Sequence, residues 1–437
     1  MDPLYVSLIM VVLLLTMILF GMHVGVALAS LSVIGLWWIN GNFMIAITLL
    51  GATSYHGIME YVFAVVPMFI LMGTLANLSG ASEELYDTAN VLLARVRGGL
   101  AMATVVANAI FAAITGVSVA SAAVFSKVAI PQMKRFGYDR KFSLGVVASS
   151  SLLGMLIPPS LLFIVYGVLS GESIGKLFAA GIIPGVLLAM LLCGGIYTMV
   201  KIRPRLEGGA IGVSKKNPEI NLRIILKPWV FIVLILVVLG GMYMGFFTPT
   251  EAGAIGAFAT FVMCLLKGKI TAVSLRAALL ETGHTTASVF FLLISAQMYS
   301  RMLTLSGLPA RITDFVSSLA ISPQMVVVIF LLVFFALGAV LDSISIMLVT
   351  MPIMLPVIQA LGFDLIWFGI VSVVALEMGF LTPPFGLVVF AMKAALGEEA
   401  TVEEIFLGAA PFLLVILCVL VVLFVFPVLS TYLPSLM

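Results

Sequence analysis

Two short polar stretches in a very apolar chain hold the side chains best suited to bind something. Thr115-Gly116-Val117-Ser118-Val119-Ala120-Ser121 supplies hydroxyls, and Gly338-Ala339-Val340-Leu341-Asp342-Ser343-Ile344-Ser345 supplies hydroxyls and a carboxylate. Hydroxyl and backbone carbonyl oxygens suit a hard monovalent cation such as Na⁺. Neither stretch contains Arg or Lys, so a carboxylate bound there would rely on the partial positive charge of half-helix N-termini. Each stretch is followed by a proline break, Gly154-Met155-Leu156-Ile157-Pro158-Pro159 and Gly379-Phe380-Leu381-Thr382-Pro383-Pro384. Two prolines cannot continue a helix, because they lack backbone donors and clash with the preceding turn. At bilayer depth the freed carbonyls are tolerated only where they are buried in protein or line a cavity.

The two sets are copies. Ser118, Pro131, Gly137, Asp139, Gly154, Pro158 and Pro159 recur without a gap 225 positions later as Ser343, Pro356, Gly362, Asp364, Gly379, Pro383 and Pro384. Paired interruptions at corresponding places in two halves point to the binding site of a secondary transporter. An isolated Ser or Gly in such a chain does no more than let helices pack closely; two tips paired with two breaks ask for more. Asp342 is the sharpest single residue, since a carboxylate at membrane depth is costly and functional by default. Three roles are open to it: cation ligand, proton carrier, or cap of a half-helix. Glu377, two residues before Gly379, is open to a structural ion pair or hydrogen bond, or to a part in coupling. Glu251, in Thr248-Pro249-Thr250-Glu251, reads as a helix-start acid that favours the dipole.

The elements that must position these residues follow from composition. Apolar residues make up 63% of 437 and charged residues 9%, which sets the chain apart from soluble domains and suits helices crossing about 30 Å of hydrocarbon. The fold class expected is an all-α polytopic membrane protein of two inverted repeats. About ten spanning helices, two of them broken, accompany two re-entrant helical hairpins. The first repeat covers 1–200: scaffold helices over 1–80 (4–20, 24–39 and 61–79, with 41–59 along the interface), a connecting helix 82–97, a hairpin 99–130, a broken helix 142–170 and a span 177–200. A basic cytoplasmic linker, 201–227, follows. The second repeat covers 228–437, with scaffold helices over 229–303 (229–246, 249–266, an interfacial piece near 270–283, and 284–303). Its connector is 308–319, its hairpin 323–357, its broken helix 363–393 and its last span 405–430.

Five spans per half is odd, so the second copy must enter the membrane inverted. Charge agrees. If 99–130 and 323–357 are hairpins returning to the side they left, 18 of the 21 Lys and Arg residues share one face, and only Lys176, Arg301 and Arg311 lie opposite. That asymmetry places both termini outside the cytoplasm. Asp2 and the lack of a basic leader make the first apolar run a retained helix.

Other chemistries fail on the residues. Gly171-Glu172-Ser173-Ile174-Gly175-Lys176 lacks the glycine spacing and following hydroxyl of a phosphate loop, and no His-Glu-x-x-His occurs. Cys193, Cys264 and Cys418 have no metal-ligand spacing, and His23, His56 and His284 do not cluster. No enzyme, organic cofactor or nucleic-acid partner is expected, and transport must draw on an ion gradient or run downhill.

Gly21-Met22-His23-Val24-Gly25-Val26-Ala27-Leu28, Thr248-Pro249-Thr250-Glu251-Ala252-Gly253, Asp342-Ser343 and the two proline breaks resemble the large membrane subunit of TRAP (tripartite ATP-independent periplasmic) transporters. The resemblance runs along essentially the whole chain. It implies an inner-membrane, Na⁺-coupled importer of an organic acid, a C4-dicarboxylate or sialic or another sugar acid. It also implies a periplasmic substrate-binding protein, a small four-helix membrane subunit as a separate chain, and an elevator mechanism. Carried over by position, one Na⁺ site would use Ser118 with carbonyls near Gly154, Ile157 and Pro159. A second would use Asp342 or Ser343 with Gly379 and Thr382. Substrate would lie near Ser121, Ser160 and Ser345, with Phe385 standing where the first copy has Ser160. A stand-alone Na⁺/dicarboxylate symporter shares this hairpin logic, and a channel is the alternative of a different class.

Overall fold

The computed structural model describes residues 2–59, 61–208, 227–318 and 321–437. Most of the linker read at 201–227 lies outside them; within them every regular element is helical. The first half contains α1 (Pro3–Leu19), α2 (Val24–Asn40), α3 (Phe43–Met59), α4 (Val65–Leu78) and α5 (Ala81–Leu93). Then come α6 (Gly99–Thr115), α7 (Ser118–Arg135), α8 (Arg140–Ser151), the single turn α9 (Leu153–Leu156), α10 (Leu161–Ser170) and α11 (Ile174–Ile202). The second half contains α12 (Trp229–Tyr243), α13 (Pro249–Leu266), α14 (Ala272–Ser306), α15 (Leu308–Ser318) and α16 (Pro323–Gly338). It ends with α17 (Ser343–Ala360), α18 (Leu365–Gly379), α19 (Leu387–Leu396), α20 (Val402–Val425) and the turn α21 (Val428–Thr431).

Local chemistry sets many of these ends. Asp139 and Asp364, one repeat apart, each accept a hydrogen bond from the backbone N–H three residues on, at Phe142 (2.9 Å) and Trp367 (2.8 Å). Both broken helices thus start on the same side-chain cap. Thr248 and Glu251 close a reciprocal capping box with Pro249 at the first helical position, the structural role expected for Glu251.

One expected boundary is overturned. The interfacial piece near 270–283 and the span 284–303 form a single helix, α14, of 35 residues. No proline interrupts it, and one mid-helix glycine, Gly283, costs only about 1 kcal/mol. In the first half Pro67 stands in the opening turn of α4, and the 3₁₀ turn Tyr61–Ala64 separates α3 from α4. Proline there removes a backbone donor, so the same path is divided.

Among the described residues, six helical stretches are long and apolar enough to cross a membrane by themselves: Tyr61–Leu78, α11, α13, α14, α17 and α20. A seventh is Arg140–Leu156 with Leu161–Ser170, bent by 41° at the first proline break. The remaining expected spans, α1, α2, α12 and α18, are among the shorter apolar helices. Seventeen residues, as in α1 and α2, reach about 26 Å, slightly less than a bilayer core. Helix α17, expected as one hairpin arm, has the length of a span and carries Pro352 and Pro356 inside it.

Packing interleaves the halves. Helix α7 lies on α19, and α10 on α17; α8 lies on α20, and α11 on α18; α4 lies on α13, and α2 on α14. Within each of these three sets, a shift of 225 residues turns one pairing into the other. Contact is close enough to need glycine on both sides where α8 meets α20. A Cβ at Gly145 would overlap the carbonyl of Gly408, and one at Gly408 would overlap that of Lys141.

Candidate ion and substrate site

The first tip is the turn between α6 and α7. Gly116 ends α6 with φ +65°, and Ser118 opens α7. Leu161 N donates to Gly116 O at 3.3 Å, which ties the tip to the first break. A Cβ at Gly154 would stand 2.8 Å from Ser118 N and 2.9 Å from its Cα, so the tip can approach only because that residue is glycine. Ser118, Gly154 and Pro159 therefore come together as the repeat suggested. Ile157 is part of the same break, but its N–H donates to Leu153 O (2.9 Å) and its side chain faces Gly185. Pro158-Pro159 and Pro383-Pro384 are both cis.

The second tip is built differently. Asp342 caps α17, its Oδ1 accepting from Ser345 N at 3.0 Å. Of the three roles open to Asp342, capping is the one this geometry displays. Gly379 lies against the end of α16: a Cβ there would stand 2.6 Å from Gly338 Cα. Phe385 N donates to Ala339 O at 3.0 Å, mirroring the tie between tip and break in the first half. Thr382 is turned on Gly379 itself, its Oγ1 donating to Gly379 O at 2.7 Å and its N–H to the same carbonyl at 3.0 Å. The residues expected as a second ion site thus bond in separate pairs, Asp342 with Ser345 and Thr382 with Gly379.

The two tips also reach across the halves. Ser118 Oγ donates to Glu377 Oε2 at 2.7 Å, and Ser343 Oγ meets Met155 Sδ at 3.5 Å. Ser118 and Ser343 are repeat equivalents, and each touches the other half's broken helix just before its prolines. Glu377 is only 2% exposed, and among the described residues its Oε1 has no hydrogen-bond partner, nor has the buried Oγ of Ser121 one turn after Ser118. This corner therefore holds a carboxyl and a hydroxyl with free acceptor positions and, among the described residues, no basic side chain bonded to them, a donor set that fits a monovalent cation.

The residues expected near substrate divide. Ser121, Ser160 and Ser345 are buried, whereas Phe385 is 55% exposed with its ring tilted against Phe390. Ser160 Oγ donates to Met155 O (2.5 Å) and accepts from Phe163 N (3.4 Å), so it caps α10. Phe385 offers no such group, and α19 starts at Gly386 with φ +49° instead. The Ser160/Phe385 difference is thus a difference in how the second half of each broken helix begins.

Sequence reasoning missed Asn108, whose Nδ2 donates to Ser150 Oγ at 3.0 Å inside the bundle. A lone amide in an Ala-rich arm was the available signal. It also missed Met155, a residue type with no polar signature.

Residues 11–429 match the family described as tripartite ATP-independent periplasmic transporter, DctM component. The chain is 34% identical over 394 residues to the C4-dicarboxylate TRAP transporter large permease protein DctM of Pseudomonas aeruginosa, covering 88% of this chain and 87% of that one. It is 30% identical over 409 residues to the 2,3-diketo-L-gulonate TRAP transporter large permease protein YiaN of Escherichia coli, covering 93% of each. Among solved structures, the Alcanivorax borkumensis YdaH transporter matches with a TM-score of 0.61 at 15% identity over 98% of both chains, a likeness of fold alone. With the family matched from end to end of the helical bundle, the chain belongs to the large permease (DctM) family of TRAP transporters, and is a transporter subunit rather than an enzyme.

Proposed function

We propose that this permease imports an organic acid coupled to Na⁺, the acid being delivered by a periplasmic binding protein and a small membrane subunit completing the translocating unit. The observation that carries the coupling is the buried corner at Ser118, Gly154 and Glu377, where oxygen atoms of both halves converge. A cation held by Ser118 with carbonyls of the Gly154–Pro159 break would lie beside the Glu377 carboxyl of the second half, which Ser118 already touches. At the second tip Na⁺ would take Asp342 or Ser343 with Gly379 and Thr382, after Thr382 gives up its bond to Gly379 O. Loading both tips would firm a unit made of α6–α10 and α16–α19, which then moves against the remaining helices as an elevator. The substrate class is a C4-dicarboxylate, the ligand named for the Pseudomonas relative.

The orientation proposed has both termini periplasmic in the inner membrane, with the two halves inverted. Contacts between helix ends are consistent with it. Lys267 pairs with Glu84 at 2.6 Å and Arg140 with Glu404 at 3.1 Å, all on the face where basic residues concentrate.

Uptake by proteoliposomes tests the reading. Accumulation of labelled succinate is expected only with external Na⁺, the small subunit and loaded binding protein together. Uptake of free succinate by this chain alone would point to a stand-alone symporter instead.

A further inference from the structure

A cavity of about 820 Å³ opens away from the ion corner, between α3, the Tyr61–Ala64 turn and α14 on one side and the end of α10 with the start of α11 on the other. Its polar wall is one face of α14: Gln297, Ser300, Arg301 and Thr304, spaced three and four residues apart. Glu172 and His56 lie elsewhere on the lining. Arg301 makes no hydrogen bond or ion pair among the described residues. Arg301 is exposed to the cavity, so its planar fork is available there, and that fork is shaped to take a carboxylate by two parallel bonds. Pro249 and the segment 171–174 border the cavity, and the C-terminal Met437 lies against Gly175 with Pro249 beside it. The cavity therefore opens on the face that carries the C-terminus.

We infer that this cavity is a carboxylate-binding site distinct from the hairpin tips, where an organic acid rests on Arg301 before it reaches them. The side to which it opens, the periplasm, rests on the orientation proposed above. Gln297 holds the wall in place, its Nε2 donating to Gly57 O at 3.4 Å on α3. Ser300 and Thr304 offer hydroxyls to the body of the ligand. Glu172 repels negative charge, so a dicarboxylate would turn its carboxylates toward the Arg301 side of the cavity and its uncharged carbon backbone toward Glu172 and Ser173. On the proposed orientation only Lys176, Arg301 and Arg311 are basic on this face, so Arg301 supplies the attraction that the tips, which have no basic residue, cannot.

The test needs neither Na⁺ nor the binding protein, so it stands apart from the coupling reading. Thr304→Cys is placed in a chain whose Cys193, Cys264 and Cys418 are replaced by Ala. Its rates of reaction with anionic sulfonatoethyl and cationic trimethylammonioethyl methanethiosulfonate are compared. Adding Arg301→Gln is expected to lower the anionic-to-cationic rate ratio about tenfold, as for a unit charge lost some 8 Å away in a partly wet site. Arg301→Lys should restore most of that ratio. Millimolar succinate or gluconate should slow labelling at position 304, and uncharged erythritol should not. An unchanged ratio in Arg301→Gln, or no protection by either acid, overturns the site. Size-exclusion profiles establish that each variant is folded. If uptake proves independent of Na⁺ while protection persists, the coupling reading fails and this one survives.

Discussion

The hydroxyl of Ser118 donates a 2.7 Å hydrogen bond to Glu377 Oε2 across 259 residues of sequence, inside the protein. It joins the first tip to the second broken helix. With Glu377 accepting its hydrogen bond, the Ser118 oxygen keeps its lone pairs free to face a cation. Among the described residues, the carboxyl so placed has one bonded oxygen and one with no partner. A single hydrogen bond offsets only part of the cost of burying such a group, about 1–3 kcal/mol out of several. A cation in the same corner would supply the rest.

Removing either partner strands the other. Ser118→Ala and Glu377→Ala are each expected to destabilise the protein by about 1–3 kcal/mol. The double variant should cost clearly less than the sum, with a coupling of about 1–2 kcal/mol. Thermal unfolding in detergent, with and without Na⁺, measures the cycle. The shift that Na⁺ gives the wild-type midpoint should shrink in Ser118→Ala. Glu377→Gln keeps an acceptor for the hydroxyl and should retain more of the shift than Glu377→Ala. Additive single effects would mean that the two residues act independently.

At the second tip the competing roles of Asp342 separate by substitution. Asn caps helices about as well as Asp, and Ala does not. Asp342→Asn should therefore hold the wild-type midpoint to within a few tenths of a kcal/mol, and Asp342→Ala should lose about 1 kcal/mol. If the carboxylate also serves the ion, the Na⁺ concentration for half-maximal uptake rises several-fold in Asp342→Asn. An unchanged Na⁺ dependence in that variant leaves Asp342 as a cap and nothing more.

The two break glycines should be intolerant, for a reason that is purely steric. A Cβ at Gly154 meets backbone of Ser118 at 2.8 Å, and one at Gly379 meets Gly338 Cα at 2.6 Å. Backbone cannot yield as the end of a side chain can, so Gly154→Ala and Gly379→Ala should push tip and break apart and abolish Na⁺-dependent stabilisation. Gly283, inside α14 with nothing within 4 Å of a built Cβ, is the control. Gly283→Ala should raise stability by up to about 1 kcal/mol, read as an increase in midpoint with uptake unchanged.

These residues mark what was legible in the sequence. Pro158, Pro159, Pro383 and Pro384 stop helices by local chemistry, so the breaks could be placed to within a few residues before any fold was known. Asp139 and Asp364 showed in the sequence only as repeat partners; that each caps the helix after it is a matter of local geometry. The Ser118–Glu377 and Ser343–Met155 contacts could not be read, because they depend on how α7 and α17 dock on the opposite half's broken helix. The continuity of α14 was hidden by its polar stretch near Gly283 and His284. Polarity marks exposure, whereas continuity depends on backbone donors that only proline removes. Ser160 and Phe385 stood out as an asymmetry, but residue type alone does not say that the serine is a cap and the phenylalanine surface.

Orientation can be settled from the two ends of the bundle. Lys267–Glu84 and Arg140–Glu404 gather four chain segments at one end, and Asp139 N donates to Leu206 O at 3.0 Å, bringing the start of the linker to that same end. Met437 beside Gly175, with Pro249 near, marks another meeting of segments, reached by α11, α13 and the C-terminus. Helix α11 runs from Ile174 to Ile202, about 43 Å at 1.5 Å per residue, so these groups lie a full membrane apart. Because the basic residues crowd the first end, that end should face the cytoplasm. A cysteine at Lys215, within the linker, should resist a membrane-impermeant maleimide in intact cells and react once the membrane is opened. A cysteine at Ser435, which is exposed near the other end, should react without opening. The reverse pattern would invert the whole arrangement, and with it the side from which the Arg301 cavity is reached.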